Sequence, residues 1–267
     1  MTTTQLTTEF EKARPRLRSY LLRITANVED TNDLLQDTYI KALEKITSWR
    51  AEASLQTWFF AIATNLAKDH QRARWRFTEK VTDIAREAAL ANPEFFREAM
   101  NIHANSPQGN FEIKEHIAFC FTCIAKSLPL EQQIGLLLKE VYEFKMTEIA
   151  RIMDITEAMT KYYLHTGRTK MIGIFEGRCS LINKEGICHQ CSELNGIFNP
   201  HQQLQEELVK ISLVREAADA GKERLFQLRM EIIRGIDPFE SNAAELQLHH
   251  LEHNRRVMEN YLKKDGD

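Results

Sequence analysis

Asp33-Leu34-Leu35-Gln36-Asp37-Thr38-Tyr39, followed by Ser54-Leu55-Gln56-Thr57-Trp58-Phe59-Phe60-Ala61-Ile62-Ala63-Thr64-Asn65-Leu66-Ala67-Lys68-Asp69, is the stretch that decides the fold. From Asp33 to Ile46 the apolar residues Leu34, Leu35, Tyr39, Ala42, Leu43 and Ile46 recur at helical spacing and predict one buried stripe. Asp33, Gln36, Asp37, Lys41 and Glu44 stand opposite it. Asp30 or Thr31 suits the N-cap, and Glu29 and Asp30 suit a helix N-terminus electrostatically. Ser54 suits the cap of the next helix, where Phe59 and Ile62 are expected in the core. That helix runs into Lys68-Asp69-His70-Gln71-Arg72-Ala73-Arg74-Trp75-Arg76. Aromatic rings beside cations suit single-stranded bases, with stacking worth about 1–3 kcal/mol per base. A solvated helix end is the competing reading of the basic run.

Working outward, the 267 residues are too many for one typical domain. Apolar residues make up 43% and charged ones 27%, which is globular composition. Only 10 Gly and 6 Pro are present, too few for the turns of a β-sandwich or barrel, so an all-α fold is expected. Net charge is −3, so any nucleic-acid face must be local. Residues 1–80 hold 13 Lys and Arg against 10 Asp and Glu, whereas residues 179–267 hold 11 against 15. Basic character therefore belongs to the N-terminal segment. No apolar run is long enough for a membrane span, and Met1-Thr2-Thr3-Thr4-Gln5 does not resemble a signal peptide. Five cysteines without an export signal argue against a disulfide framework. A cytoplasmic protein with no membrane partner is expected.

A second helical block spans about 112–176, after the linker-like Asn105-Ser106-Pro107-Gln108-Gly109-Asn110. Thr147 is the expected cap of one helix, Asp154-Ile155 a turn, and Thr156 the cap of a second helix through Lys161, Tyr162, Tyr163, His165, Arg168 and Lys170. That is helix-turn-helix spacing, though an ordinary αα-hairpin has the same pattern.

The two quoted stretches resemble region 2 of the sigma-70 family, and the small extracytoplasmic-function (ECF) sigma factors above all. Leu128-Pro129 and Phe144-Lys145-Met146-Thr147-Glu148-Ile149-Ala150 with the second helix are similar to region 4. The resemblance implies a sigma region-2-like domain at 1–78, a linker at 79–111 and a region-4-like helix-turn-helix domain at 112–178; apolar stripes at helical spacing beyond it predict a Cys-containing helical C-terminal extension at 179–267 outside the family core. It implies that Asp33, Gln36, Asp37 and Lys41 dock on the β′ clamp of core RNA polymerase, with the β flap as a further contact. Trp49, Arg50, Ser54, Trp58, Asn65, Lys68, Asp69, Arg72 and Arg74 would meet the −10 promoter DNA. Thr156, Glu157, Thr160, Lys161, Tyr163 and Arg168 would meet the −35 element. Two departures stand out: Gln133 replaces the usual arginine, and Met159-Thr160-Lys161-Tyr162-Tyr163 replaces a more basic recognition sequence. Fewer arginines mean fewer phosphate contacts and weaker salt-dependent affinity.

Cys179, Cys188 and Cys191 lie within thirteen residues and are candidate ligands of a structural zinc ion, with a redox thiol pair or plain loop cysteines as alternatives. Cys120 and Cys123 fall on an apolar stripe with Ile117, Ile124 and Leu128, which predicts core packing. His249-His250-Leu251-Glu252-His253 matches the HxxEH zinc-hydrolase pattern, although a solvated helix face fits as well. The expected function is thus non-catalytic transcription initiation with no required cofactor. The alternatives are a helix-turn-helix regulator working without polymerase and a zinc hydrolase at 249–253. The extension is the candidate site for an anti-sigma factor or other regulator.

Overall fold

A computed structural model of the chain describes residues 1–49, 53–72, 76–105, 113–178 and 221–264. The described residues are helical, with no strand among them. They fall into two compact units. The first comprises residues 1–76 and 128–168, the second residues 77–127 and 169–267.

In the first unit, α1 (Thr3–Thr25), α2 (Val28–Glu44) and α3 (Leu55–Arg72) pack on one another. Thr2 caps α1 through a reciprocal pair: Gln5 N–H donates to Thr2 Oγ1 at 3.2 Å and Thr2 N–H to Gln5 Oε1 at 2.9 Å. Ala26, with φ 56°, closes α1 in the left-handed region. The cap of α2 is Asn27, not Asp30 or Thr31 as expected: its Oδ1 accepts from Asp30 N–H at 2.9 Å, so the helix starts earlier. Thr31 is instead buried, its hydroxyl donating to Asn27 O at 2.6 Å. Ser54 caps α3 as expected, accepting from Thr57 N–H at 3.1 Å. Phe59 and Ile62 lie in the core, and so does Phe60.

The same unit contains α7 (Leu130–Leu136), a π-helical turn at Leu137–Val141, α8 (Met146–Met153) and the N-terminal half of α9 (Glu157–Arg178). α8 begins one residue before Thr147, because the Glu148 carboxylate accepts from Lys145 N–H at 2.8 Å and closes the first turn from below. Asp154 (φ 55°) ends α8, and Thr156 Oγ1 accepts from Met159 N–H at 3.2 Å to start α9. Gly167 permits the close packing of α9 on α7: a Cβ there would stand 3.2 Å from Gln132 Cβ and 3.3 Å from its carbonyl oxygen.

In the second unit, α4 (Val81–Leu90), α5 (Pro93–Asn105), α6 (Ile113–Ala125), α10 (Lys222–Arg234) and α11 (Ala244–Lys264) pack together. The segment at 79–111, expected as a linker, is largely helical; the linker-like 106–112 lies outside the described residues. Asn92-Pro93 does break the helix, with Asn92 Oδ1 accepting from Phe95 N–H at 3.3 Å. α11 lies against α4, α5 and α6, and α10 lies against α6. Cys120 and Cys123 are free thiols buried in this core, and burial raises the Cys123 pKa to about 12.

Candidate polymerase and nucleic-acid interface

On α2, burial of Leu34, Leu35, Thr38 and Ala42 turns Asp33, Gln36 and Asp37 outward, where all three are exposed. Lys41 is half-buried at the end of that face, and Ile40 adds an apolar side chain that is 42% exposed. Two acids, an amide and an exposed isoleucine at helical spacing thus set negative charge and apolar surface side by side.

The α3 residues are placed less uniformly. Asn65, Asp69 and Arg72 are exposed, but Asp69 and Arg72 pair with each other at 3.0 Å. Such an exposed pair is weak, so a phosphate can displace the carboxylate. Trp58 is half-buried, its ring 5.7 Å from Phe59. Trp49 is half-buried too, and its indole N–H has no hydrogen-bond partner among the described residues. The Ser54 hydroxyl serves as the α3 cap. Lys68 is half-buried, with its ammonium donating to Met153 O at 3.2 Å, at the C-terminus of α8. Arg50 and Arg74 lie outside the described residues.

The helix-turn-helix expectation is met in geometry by α8, the Asp154 turn and α9. Thr156, Glu157 and Lys161 are exposed at the start of α9, and Tyr163 is half-buried. Thr160 is a correction: it is fully buried, its hydroxyl donates to Thr156 O at 3.0 Å, and it faces the core. Arg168 is half-buried, with Glu140 at 3.8 Å. Tyr162, 56% exposed, and Met159, 40% exposed, sit one turn apart on the helix, and of the two only Met159 had no role suggested by the sequence.

The zinc-hydrolase alternative is overturned by geometry. The rings of His249 and His253 lie 4.9 and 4.1 Å from that of Phe95, and His253 Nε2 hydrogen-bonds Ala85 O at 3.2 Å. Glu252 accepts from Arg255 at 2.9 Å and from Arg256 at 2.9 Å, so its carboxylate is engaged in ion pairs on its own helix. No group of three or more His, Cys, Asp or Glu suited to a metal occurs among the described residues. Cys179, Cys188 and Cys191 lie outside them. No described helix is long and apolar enough to cross a membrane.

Among the described residues the protein is helical, with an exposed acidic helix face and a helix-turn-helix. Family models agree: residues 10–77 match Sigma-70 region 2, and residues 118–171 match Sigma-70, region 4. The RNA polymerase sigma factor YlaC of Bacillus subtilis is 26% identical, over 57% of this chain and 82% of that protein. The ECF RNA polymerase sigma factor EcfG of Rhodopseudomonas palustris is 24% identical, over 60% and 78%. The ECF RNA polymerase sigma-E factor of Salmonella typhimurium is 29% identical, over 47% and 63%. A solved structure of the sigma factor RpoE in complex with the anti-sigma factor NepR from Bartonella quintana is 16% identical. It has a TM-score of 0.45 and covers 65% of this chain and 98% of that one. The chain thus carries segments similar to regions 2 and 4 of the sigma-70 family, and the relatives it resembles are RNA polymerase sigma factors, ECF types among them.

Proposed function

We propose that the chain binds core RNA polymerase through Asp33, Gln36, Asp37 and Lys41 of α2, meeting the β′ clamp, and places its helix-turn-helix near the β flap. Trp49, Trp58, Asn65, Lys68, Asp69 and Arg72, with Arg50 and Arg74, then contact the −10 DNA. Thr156, Glu157, Lys161, Tyr163 and Arg168 face the −35 element, joined by Met159 and Tyr162. Functionally the chain divides into 1–78, 79–111, 112–178 and 179–267, a division by role that cuts across the compact units.

The reading is supported above all by one observation: α2 offers an exposed acidic face in the same unit as an exposed α9 N-terminus. Recognition helices read base edges with their N-terminal residues, and the exposure of Lys161 fits a phosphate contact. The C-terminal helices lie outside the two matched regions and are the place for a regulator, an anti-sigma factor among the candidates. Run-off transcription with core polymerase on genomic promoter fragments tests the whole reading. Promoter-dependent transcripts are expected. DNA binding without polymerase association would favour the independent regulator.

A further inference from the structure

The first turns of α9 present an outward face of unusual chemistry for a helix that meets DNA. Its inward side is fixed by packing: Thr160 is fully buried, a Cβ on Gly167 would meet Gln132, and Leu164 lies 3.8 Å from where a Cβ on Gly135 of α7 would stand. At about 100° per residue, Ala158, Met159, Tyr162 and His165 then fall on the outer half of the helix. All four are exposed, and Tyr162 stands nearly opposite Thr160. The Tyr163 ring, 5.6 Å away, backs the Tyr162 ring.

Major-groove readout matches side-chain chemistry to base edges. Arginine grips guanine O6 and N7, an Asn or Gln amide grips adenine, and the thymine 5-methyl takes apolar contact. From Glu157 to Gly167 the helix holds no arginine, asparagine or glutamine, so the paired grips on guanine and adenine are missing. The Thr160 hydroxyl is turned inward and donates to Thr156 O at 3.0 Å. Lys161 is exposed, but it lies at the edge of the outer face, where phosphates are reached. What the tip of the helix offers to bases is a methyl, a thioether and a phenol ring, on Ala158, Met159 and Tyr162. Such groups gain by covering an apolar group and not by competing for polar atoms.

We propose that Met159 and Tyr162, beside the Ala158 methyl, select the upstream element by covering thymine 5-methyl groups, so that thymine positions and not guanines define it. The inference rests on the reading of the helix-turn-helix as the contact to upstream promoter DNA, and it adds the base chemistry which that contact selects. Lys161 supplies affinity without base preference. Each covered methyl is worth about fourfold in affinity. Both side chains are exposed, so substituting them leaves the packing of α9 in place. Tyr162→Phe keeps the ring and removes only the hydroxyl, which separates apolar contact from hydrogen bonding.

The test uses the full chain assembled with core RNA polymerase and a pool of linear duplexes of random sequence. Bound duplexes are sequenced, and their run-off transcripts orient them and so identify the upstream block. Thymine should be enriched there. In a selected duplex, uracil in place of one such thymine removes the 5-methyl and keeps every pairing atom, and binding should weaken about fourfold. Tyr162→Ala and Met159→Ala should each abolish that loss at one thymine position, and Tyr162→Phe should keep it. Lys161→Ala should weaken binding to all sequences alike and flatten its salt dependence. Guanine enriched in place of thymine, equal binding of uracil and thymine duplexes, or a methyl effect that survives both alanine variants overturns the inference and leaves the helix-turn-helix as a reader of other chemistry. No enriched upstream block, or no complex with core polymerase, overturns the proposed function itself and the inference with it.

Discussion

The two compact units solve the packing problem with different materials. The first is built around aromatic rings: Phe60 lies 5.0 Å from Tyr20, 5.6 Å from Tyr142 and 4.8 Å from Phe144. Its buried hydroxyls find partners, as Tyr20 OH does with Thr64 Oγ1 at 2.8 Å. The second unit packs aliphatic residues, Ala99, Ala243 and Leu246, and surrounds Phe95 with three histidines. It also buries a carboxylate, Glu115, whose Oε1 accepts from Ala243 N–H at 3.2 Å, and an amide, Asn254, which donates to Cys123 Sγ at 3.5 Å. An aromatic core of phenylalanines and tyrosines offers few groups that titrate near neutral pH. A core sealed by imidazoles depends on proton balance. The faces proposed for polymerase and DNA lie mainly on the unit with the aromatic core.

The largest effect should come from breaking the aromatic side of this contrast. Phe60→Ala removes a fully buried ring touching three others, and a loss of about 3–5 kcal/mol is expected. Hydrogen exchange should report it as lost protection in α1 and α3 before α11. Equal loss in both units would mean that they share one cooperative core. Next in size, Asp33→Arg with Gln36→Ala should lower core-polymerase binding at least tenfold, roughly 1.4 kcal/mol or more. Circular dichroism should stay unchanged, because both side chains are exposed. Binding at wild-type strength would remove the α2 face from the interface. Thr156→Ala should cost about 1 kcal/mol through the lost cap of α9, measured by chemical denaturation. Thr156→Ser should restore it.

The smallest effect sharpens the other side. Burial first, with the charge of Arg256 and the neighbouring His249 in support, holds the His253 pKa below its ordinary 6.5, while the Ala85 carbonyl opposes the shift. The folded state therefore binds its proton less readily than the unfolded chain. Stability from this site is fully present above about pH 6.5 and is lost as pH falls towards the depressed folded value. Relative to intrinsic exchange, protection of α11 should thus fall between pH 7.5 and 5.5, while that of α1, which has no histidine, changes little. A His253→Gln chain should show a flatter profile. An unchanged profile would assign the pH response to another group.

Much of the architecture is legible in particular residues. The stripe from Leu34 to Ala42 predicts which α2 side chains face outward, because burial at helical spacing leaves one solution for the opposite face. Ser54 and Thr156 cap helices as their side chains and positions suggest. Asn27 escaped because Asp30 and Thr31 are equally good caps, and the choice was made by which oxygen could reach a free N–H. Thr160 escaped because threonine suits either side of a helix, and its direction depends on what α9 packs against. HxxEH is the sharpest case: the local pattern fits zinc, but the placement of Phe95 and of two arginines decides what the imidazoles and carboxylate do.

By itself, then, the sequence determined the all-α class, the α2 and α3 faces, the helix-turn-helix and the kinship with sigma regions 2 and 4. These are local: period, caps and motif order act within a few turns of chain. Only the tertiary structure decided that Gln133 would join Arg76 to the Arg23 carbonyl, that Lys68 would meet α8, and that α11 would pack on α4, α5 and α6. Each of these links residues dozens to more than a hundred positions apart. A side chain's hydrogen-bonding capacity is written in its type, but its partner is chosen by burial, which no local pattern specifies.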